Sequence, residues 1–332
     1  MADTRSPAPT RLLLLDTASL YFRAFFGLPS SMTAPDGRQV NAVRGLLDFT
    51  ARFITDYRPT HLACCWDNDW RPSWRVDLLP SYKAHRVAPV QAATPVIGAG
   101  GAGAATGQSE EAPDELEAQV PLIVDALNAL GLPIVGVDDH EADDVIGTLA
   151  TTSGMPTDVV TGDRDLFQLV DDDAEVRVLY VARGINKHER VDGALLHRKY
   201  GIEPRHYVDF AVLRGDPSDG LPGVAGIGEK TASSLLTKYG SIDALVEVAQ
   251  DPKGGLAPGV RSKLAAAVDY LGPAREVVQV VRDLPLPLEV DDLRLVDSPA
   301  EPDRWSELVD ELGLGGSAER IVAALATAAD GS

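Results

Sequence analysis

The sequence is poor in the residues that staple a chain covalently or bind soft metals. Its 332 residues include two cysteines, Cys64 and Cys65, and six histidines that do not cluster. Adjacent cysteines rarely bridge, so no disulfide framework is expected. So few cysteines in so long a chain point to a reducing compartment. Long apolar runs are also missing. The run over residues 12–15 is stopped by Asp16, which is too short for a membrane span and unlike a secretory signal. A positive charge balance is missing too: the formal net charge is −20. Taken alone, that argues against a nucleic-acid partner, whose usual footprint is a basic patch. The argument fails if the acids gather at metal ions and the bases gather elsewhere, and the order along the chain suggests that sorting.

A hydrophobic fraction of 45% supports a real core. Four short apolar segments read as buried strands, at 11–16, 60–67, 133–137 and 157–163. Near-continuous apolar strands are what a parallel sheet covered on both faces requires. Helical spacing lies between them, at 43–57 and 115–130. The alternation predicts an α/β fold with a mostly parallel, twisted sheet and helices on both faces. Ligands of such sheets bind beyond the carboxyl ends of the strands. Asp16, Asp67, Glu141, Asp143, Asp144, Asp163 and Asp165 all fall at or just past those ends. One Asp after a strand is ordinary loop chemistry; four strands ending so are harder to dismiss. Within Glu141-Ala142-Asp143-Asp144, read as a first helical turn, Glu141 and Asp144 share a face. Carboxylates there also complement the helix dipole, so N-terminal decoration remains open for this stretch alone.

Between the second and third strands, cations and aromatics interleave: Trp70-Arg71-Pro72-Ser73-Trp74-Arg75, then Pro80-Ser81-Tyr82-Lys83-Ala84-His85-Arg86. Residues 96–107 are nearly all Gly and Ala and read as a flexible insertion, as residues 1–10 read as a disordered lead. Further on, Gly215-Asp216-Pro217-Ser218-Asp219-Gly220 repeats the three-residue spacing of two acids. A Gly-rich turn follows, from Gly223 through Gly226 and Gly228 to Lys230 and Thr231, and opens a helix that carries Lys238. A phosphate-binding P-loop is excluded, because Glu229 separates the last Gly from Lys230. A helix–Gly-rich hairpin–helix, with backbone amides facing a phosphate, is the alternative. The helical runs 305–312 and 318–328 carry no motif.

As a set these segments resemble the 5′ nuclease superfamily, which includes the 5′→3′ exonuclease domain of bacterial family A DNA polymerases and the flap endonucleases. The resemblance covers residues 12–245. It implies a nuclease core at 11–199 with an arch near 70–115 and an insertion near 91–110. It also implies a helix–three-turn–helix DNA-binding subdomain at 200–290, a helical extension at 291–332, and a free-standing enzyme. Two departures stand out: Thr17 where the family has Gly, and Gly220 where it usually has Asn. Every mapped acidic position is an acid here, which argues against an inactive relative.

By the resemblance, Asp16, Asp67, Glu141, Asp143 and Asp144 surround a first metal ion. Asp163, Asp165, Asp216 and Asp219 lie toward a second, some through water. Two carboxylates about 5 Å apart repel by roughly 3 kcal/mol even at an effective dielectric of 20. Nine acids therefore need cations, and oxygen ligands without His or Cys favour Mg²⁺ or Mn²⁺. A K⁺ ion at the helix–three-turn–helix is implied as an accessory. Lys83 is expected on the scissile phosphate, with Arg86 beside it and Arg75 nearby. Tyr82, or Phe22 near Arg23, would stack on an unpaired base, and Arg71 would join the bases over the site. Gly226, Gly228, Lys230, Thr231 and Lys238 would meet the duplex backbone. The expected partner is DNA at 5′ flaps, nicks, gaps or 5′ ends, bound by a monomer away from membranes, with polymerase or ligase as protein partners. The competing readings are a PIN-type ribonuclease, a non-catalytic DNA-junction binder and a small-molecule phosphohydrolase.

Overall fold

The computed structural model describes residues 10–87, 112–251 and 255–329. The insertion expected near 91–110 and almost all of the lead expected at 1–10 lie outside the described residues. Strand β1 (Leu12–Asp16) shows why the sheet is covered on both faces. Its four leucines are fully buried and alternate between two separate cores. Leu12 and Leu14 join one core, Leu13 and Leu15 the other, as the two-residue period of a strand dictates. Each buried leucine contributes roughly 2 kcal/mol. In β2 (His61–Cys65) the same alternation sends Cys64 to one face and Cys65 to the other, and both thiols are free. Burial pushes the Cys64 thiol up to about 12.

The sheet continues with β3 (Ile134–Val135), β4 (Thr157–Thr161), β5 (Val176–Tyr180) and β6 (Glu189–Val191). Their spatial order is β3-β2-β1-β4-β5-β6, parallel except for β6. The carboxyl ends of β1, β2, β3 and β4 are therefore neighbours. The sequence reading missed β5 and β6. β5 carries Arg177 in its middle, which reads as a break in an apolar run. In the fold, Arg177 bonds the fully buried Asp158 of β4 (3.3 Å for its second nitrogen). The helix expected over 115–130 is two helices, Asp114–Glu117 and Val120–Leu130. The buried Gln119 between them accepts from Ala42 N (2.8 Å) and donates to Asn41 Oδ1 (3.1 Å). It thus serves the open N-terminus of helix Asn41–Tyr57.

One face of the sheet carries helices Ala142–Thr152, Tyr207–Arg214 and Val268–Val278. The other carries Thr17–Gly27, Asn41–Tyr57 and Val120–Leu130, and then Pro302–Leu312 and Gly316–Ala329 from the far end of the chain. Trp305, Leu308, Ile321 and Leu325 complete that second core. Among the described residues, no helix is long and apolar enough to cross a membrane.

Candidate active site

Each strand end hands its acid to a defined local job. Asp16 ends β1 and caps helix Thr17–Gly27, accepting from Ser19 N (3.2 Å). Its second oxygen accepts from the Thr161 hydroxyl (2.6 Å). That hydroxyl in turn accepts from Asp163 N (2.8 Å), and Asp163 accepts from Asp165 N (2.8 Å). Thr161, which the sequence reading gave no role, thus links the acids of β1 and β4. Thr17, the residue in place of Gly, is fully buried and turns its hydroxyl to Leu15 O (3.3 Å). Asp67, past β2, accepts from Ala142 N (2.7 Å) and fixes the start of helix Ala142–Thr152. Glu141 is the N-cap of that helix and forms a capping box with Asp144.

Asp16, Asp67, Glu141, Asp143 and Asp163 wall a cleft of about 940 Å³, together with Lys83 and Arg86. Phe22, Arg23 and the exposed Phe26 line the same cleft. The acids strain against one another. Burial, with Asp67 and Asp163 adding repulsion, holds Asp16 up at about 7 against the opposing Thr161 hydrogen bond. Burial and then Asp16 and Asp163 push Asp143 well above the carboxylate range. Asp67 is raised by burial and Glu141, and Asp163 by burial and Asp219. Asp165 is driven well up by burial, Asp163 and Asp219, and one of its buried oxygens has no hydrogen-bond partner. Among the described residues, no three acid, His or Cys groups stand close enough as placed to enclose one ion.

The cations are sorted by depth. Lys83 has φ of +49°, a left-handed conformation that costs a non-glycine residue about 1 kcal/mol. Its ammonium is paired with Glu141 and donates to Trp70 O (3.4 Å). Burial lowers its proton affinity, but Glu141 outweighs this, so Lys83 stays a cation. Arg86 donates to Ser218 O (2.7 Å) and Asp219 (3.0 Å), while Lys83 N donates to Asp219 O (3.0 Å). The foot of the expected arch is therefore pinned to the loop around Gly220. Gly220 has φ of +71°, and a Cβ there would sit 2.1 Å from Ser81 O. That contact explains glycine in the position where the resemblance implies Asn.

The structure moves four expected residues from the cleft to the layer beneath it. Arg75 is 2% exposed and bonds Asp144 with both nitrogens (2.7 and 2.8 Å) and Glu141 (2.7 Å). It is a buried counterion with no reach to a phosphate. Asp144 is fully buried, holding Arg75, Val281 N (2.9 Å) and Glu141 N (3.3 Å), which leaves it no open side for an ion. The Tyr82 hydroxyl donates to Glu141 (2.7 Å), and its ring is too buried to receive a base. Arg71 is also buried and donates to Tyr82 O (2.6 Å) and Pro80 O (3.1 Å), bracing the arch foot from inside. Asp216 is committed as well, to Ser218 N (3.0 Å), Arg214 (3.1 Å) and Arg164 (3.5 Å).

The Gly-rich turn lies apart from the cleft. Gly223 and Gly226 have φ of +68° and +76°, so the turn needs glycine. Gly228 is the N-cap of helix Glu229–Tyr239 and has no side chain to cover its first amides. Gly226, Gly228, Lys230, Thr231 and Lys238 are all exposed. Lys263, absent from the sequence reading, donates to Gly226 O (2.8 Å).

Two family models together match residues 11–301: the 5′-3′ exonuclease N-terminal resolvase-like domain over 11–201, and the 5′-3′ exonuclease C-terminal SAM fold over 202–301. The chain belongs to the 5′-3′ exonuclease family. It is 51% identical to a 5′-3′ exonuclease of Streptomyces coelicolor, over 94% of this chain and 99% of that protein. It is 49% identical to one of Mycobacterium tuberculosis, over 97% and 99%. It also matches DNA polymerase I of Mycobacterium tuberculosis at 37% identity, over 98% of this chain and 33% of that longer protein. In fold it is similar to the T5 D15 protein co-crystallised with metal ions (TM-score 0.59, 15% identity, 96% of this chain and 99% of that one). It is also similar to the catalytic core of Rad2 in complex with DNA substrate (TM-score 0.54, 13% identity, 96% and 94%). This exonuclease therefore has the mostly parallel α/β fold that the alternation of segments predicted, in the nuclease family that the resemblance implied.

Proposed function

We propose that this 5′-3′ exonuclease hydrolyses DNA phosphodiesters near a 5′ end or flap junction with two divalent ions. The observation that carries the reading is the cleft in which Asp16, Asp67, Glu141, Asp143 and Asp163 converge beside Lys83 and Arg86. The residues fit hard cations. All the donors are oxygens, burial and then mutual repulsion raise the proton affinity of several, and a buried oxygen of Asp165 lacks a partner. Mg²⁺ or Mn²⁺ would be held by Asp16, Asp67, Glu141 and Asp143 on one side, and by Asp163, Asp165 and Asp219 on the other, partly through water. Such ions would supply an activated water and charge stabilisation at the leaving oxygen.

The protein's own part is positioning. Lys83, kept charged by Glu141 and lining the cleft with Arg86, would meet the scissile phosphate. Phe22 and Phe26, with Arg23, offer an apolar and cationic wall to an unpaired end. The turn at 223–228 with Lys230, Thr231 and Lys238 would hold duplex phosphates without reading sequence, with K⁺ as an accessory ion there. A chain-like fold neighbour, the bacteriophage T5 D15 flap endonuclease, was solved in a complex with DNA and metal ions. That supports a flap or free 5′ end as substrate. The same reading gives a monomer acting in the cytoplasm on replication and repair intermediates, alongside polymerase or ligase. The test is a 5′-labelled flap duplex with Mg²⁺, Mn²⁺ or EDTA, its products sized on a gel. Cleavage within a few nucleotides of the junction that depends on metal supports the reading. Cleavage of single-stranded RNA alone, or binding without cleavage, refutes it.

A further inference from the structure

Beneath the cleft runs a short segment, residues 277–281, at the end of helix Val268–Val278 and just beyond it. Its backbone reaches both halves of the acid set, one at its two ends and the other in between. Val277 O accepts from Arg75 Nε (3.1 Å), and Arg75 holds Glu141 and Asp144. Val278 O accepts from Gln168 Nε2 (3.0 Å), whose other hydrogen goes to Asp165 O (2.9 Å). Val280 N donates back to Gln168 Oε1 (3.0 Å), and Val281 N donates to Asp144 Oδ1 (2.9 Å). Arg282 closes the set by donating to Gln168 O (2.9 Å). The buried amide of Gln168 thus has both donors and its acceptor engaged, all on the acid-bearing turn or the segment below it.

The approach is close on the other half as well. A Cβ on Gly147 would stand 2.6 Å from Val281 O and 2.7 Å from Val280 Cγ2. Thr148 Oγ1 donates to Val281 O (3.4 Å) and accepts from Leu284 N (3.3 Å). The helix that delivers the segment also touches the Gly-rich turn: Tyr270 OH accepts from Gly223 N (3.2 Å) and donates to Val212 O (3.3 Å).

We propose that residues 277–281 set the spacing between the two ion subsites, with Gln168 as the positioning residue that locks the Asp163–Asp165 half to the Glu141–Asp144 half. The inference rests on the metal reading of the acids given above. Loss of the lock loosens the second subsite without touching the DNA contacts. An interaction one step removed from a metal ligand typically changes metal affinity or activity by about 10–100-fold.

The test is Gln168→Met, which keeps the length and apolar stem of the side chain but removes all three bonds. Mn²⁺ is titrated into the DNA-free protein and followed by electron paramagnetic resonance. Flap-duplex affinity is measured in Ca²⁺, and the single-turnover rate in Mn²⁺. We expect two Mn²⁺ sites in the unaltered protein. In the variant, the weaker site should lose about 10-fold in affinity and the Mn–Mn coupling should change. The single-turnover rate should fall about 10-fold or more, with DNA affinity unchanged. Unaltered Mn²⁺ binding and rate in a folded variant, even one of lower melting temperature, overturn the inference and leave the metal reading standing. Failure of the unaltered protein to bind Mn²⁺ overturns both. If Gln168→Met does not fold, Arg282→Gln, which removes only the outer anchor, is measured in the same way and against the same criteria.

Discussion

Replacing Asp16 by Asn tests whether the acids are held together against their own repulsion. In the metal-free protein the Asp16 carboxyl is lifted from 3.8 to about 7, chiefly by burial, and it is 6% exposed. Three pKa units correspond to about 4 kcal/mol, and the coupled acids share that cost, so about 1–3 kcal/mol is assignable to this position. Asn can still accept from Ser19 N and carries no charge. At pH 8 in EDTA, Asp16→Asn should therefore be the more stable protein. With an unfolding entropy of about 0.7 kcal/mol/K for a chain this long, the gain in Tm is about 1–4 °C. The pH dependence has a fixed sign. Between pH 3.8 and about 7 the folded state keeps a proton that the unfolded state has lost, so stability falls as pH rises through that window. The advantage of Asn should thus be full above pH 7 and shrink toward pH 5. Thermal unfolding in EDTA at pH 5 and pH 8, with and without Mg²⁺, measures it, and cleavage by the variant should be lost. A variant less stable than the parent at pH 8, or an advantage as large at pH 5, refutes the reasoning.

Lys83→Met should lower the single-turnover rate by about 10², or about 2.7 kcal/mol, with flap affinity in Ca²⁺ unchanged. A loss of binding with an unchanged rate would make Lys83 a tether. Gly147→Ala should destabilise by about 1–3 kcal/mol, although the same change in an open helix stabilises by about 1, because the new Cβ meets the Val281 carbonyl at 2.6 Å. Stabilisation in a denaturant titration would show that residues 280–281 do not lie against that helix. Lys230→Ala should reduce the slope of log affinity against log salt by about 1, measured on a flap duplex in Ca²⁺. An unchanged slope would mean that the Gly-rich turn does not meet the duplex backbone.

The parts of the fold legible in the sequence are those where one physical requirement acts alone. β1, β2 and β4 are short apolar runs because both faces are buried, and the acids follow them because parallel strands bring their carboxyl ends together. β5 was illegible because Arg177 is balanced by a buried Asp158 from the neighbouring strand, a partner 19 positions away. The same blindness accounts for the misplaced site residues. Arg75 and Lys83 look alike in the sequence as cations near aromatics, and so do Asp143 and Asp144 as adjacent acids. Only the fold shows that Asp144 turns inward to meet Arg75 while Asp143 faces the cleft. Gln168 gave no signal at all, since an uncharged amide matters here only through where residues 277–281 return.

The far-end helices have a consequence for how the protein is born. Helix Gly316–Ala329 covers helix Asn41–Tyr57, about 260 residues earlier in the chain. At about 5–20 residues per second, a ribosome takes some tens of seconds to make that stretch. Throughout that time the face of helix Asn41–Tyr57 that carries Arg44 and Asp48 lacks the partners it meets in the finished fold, Leu314 O and Arg320. Residues 277–281, on which Arg75, Asp144 and Gln168 rest, also emerge late. A chain that stops short of them lacks the backbone groups that Arg75, Asp144 and Gln168 bond.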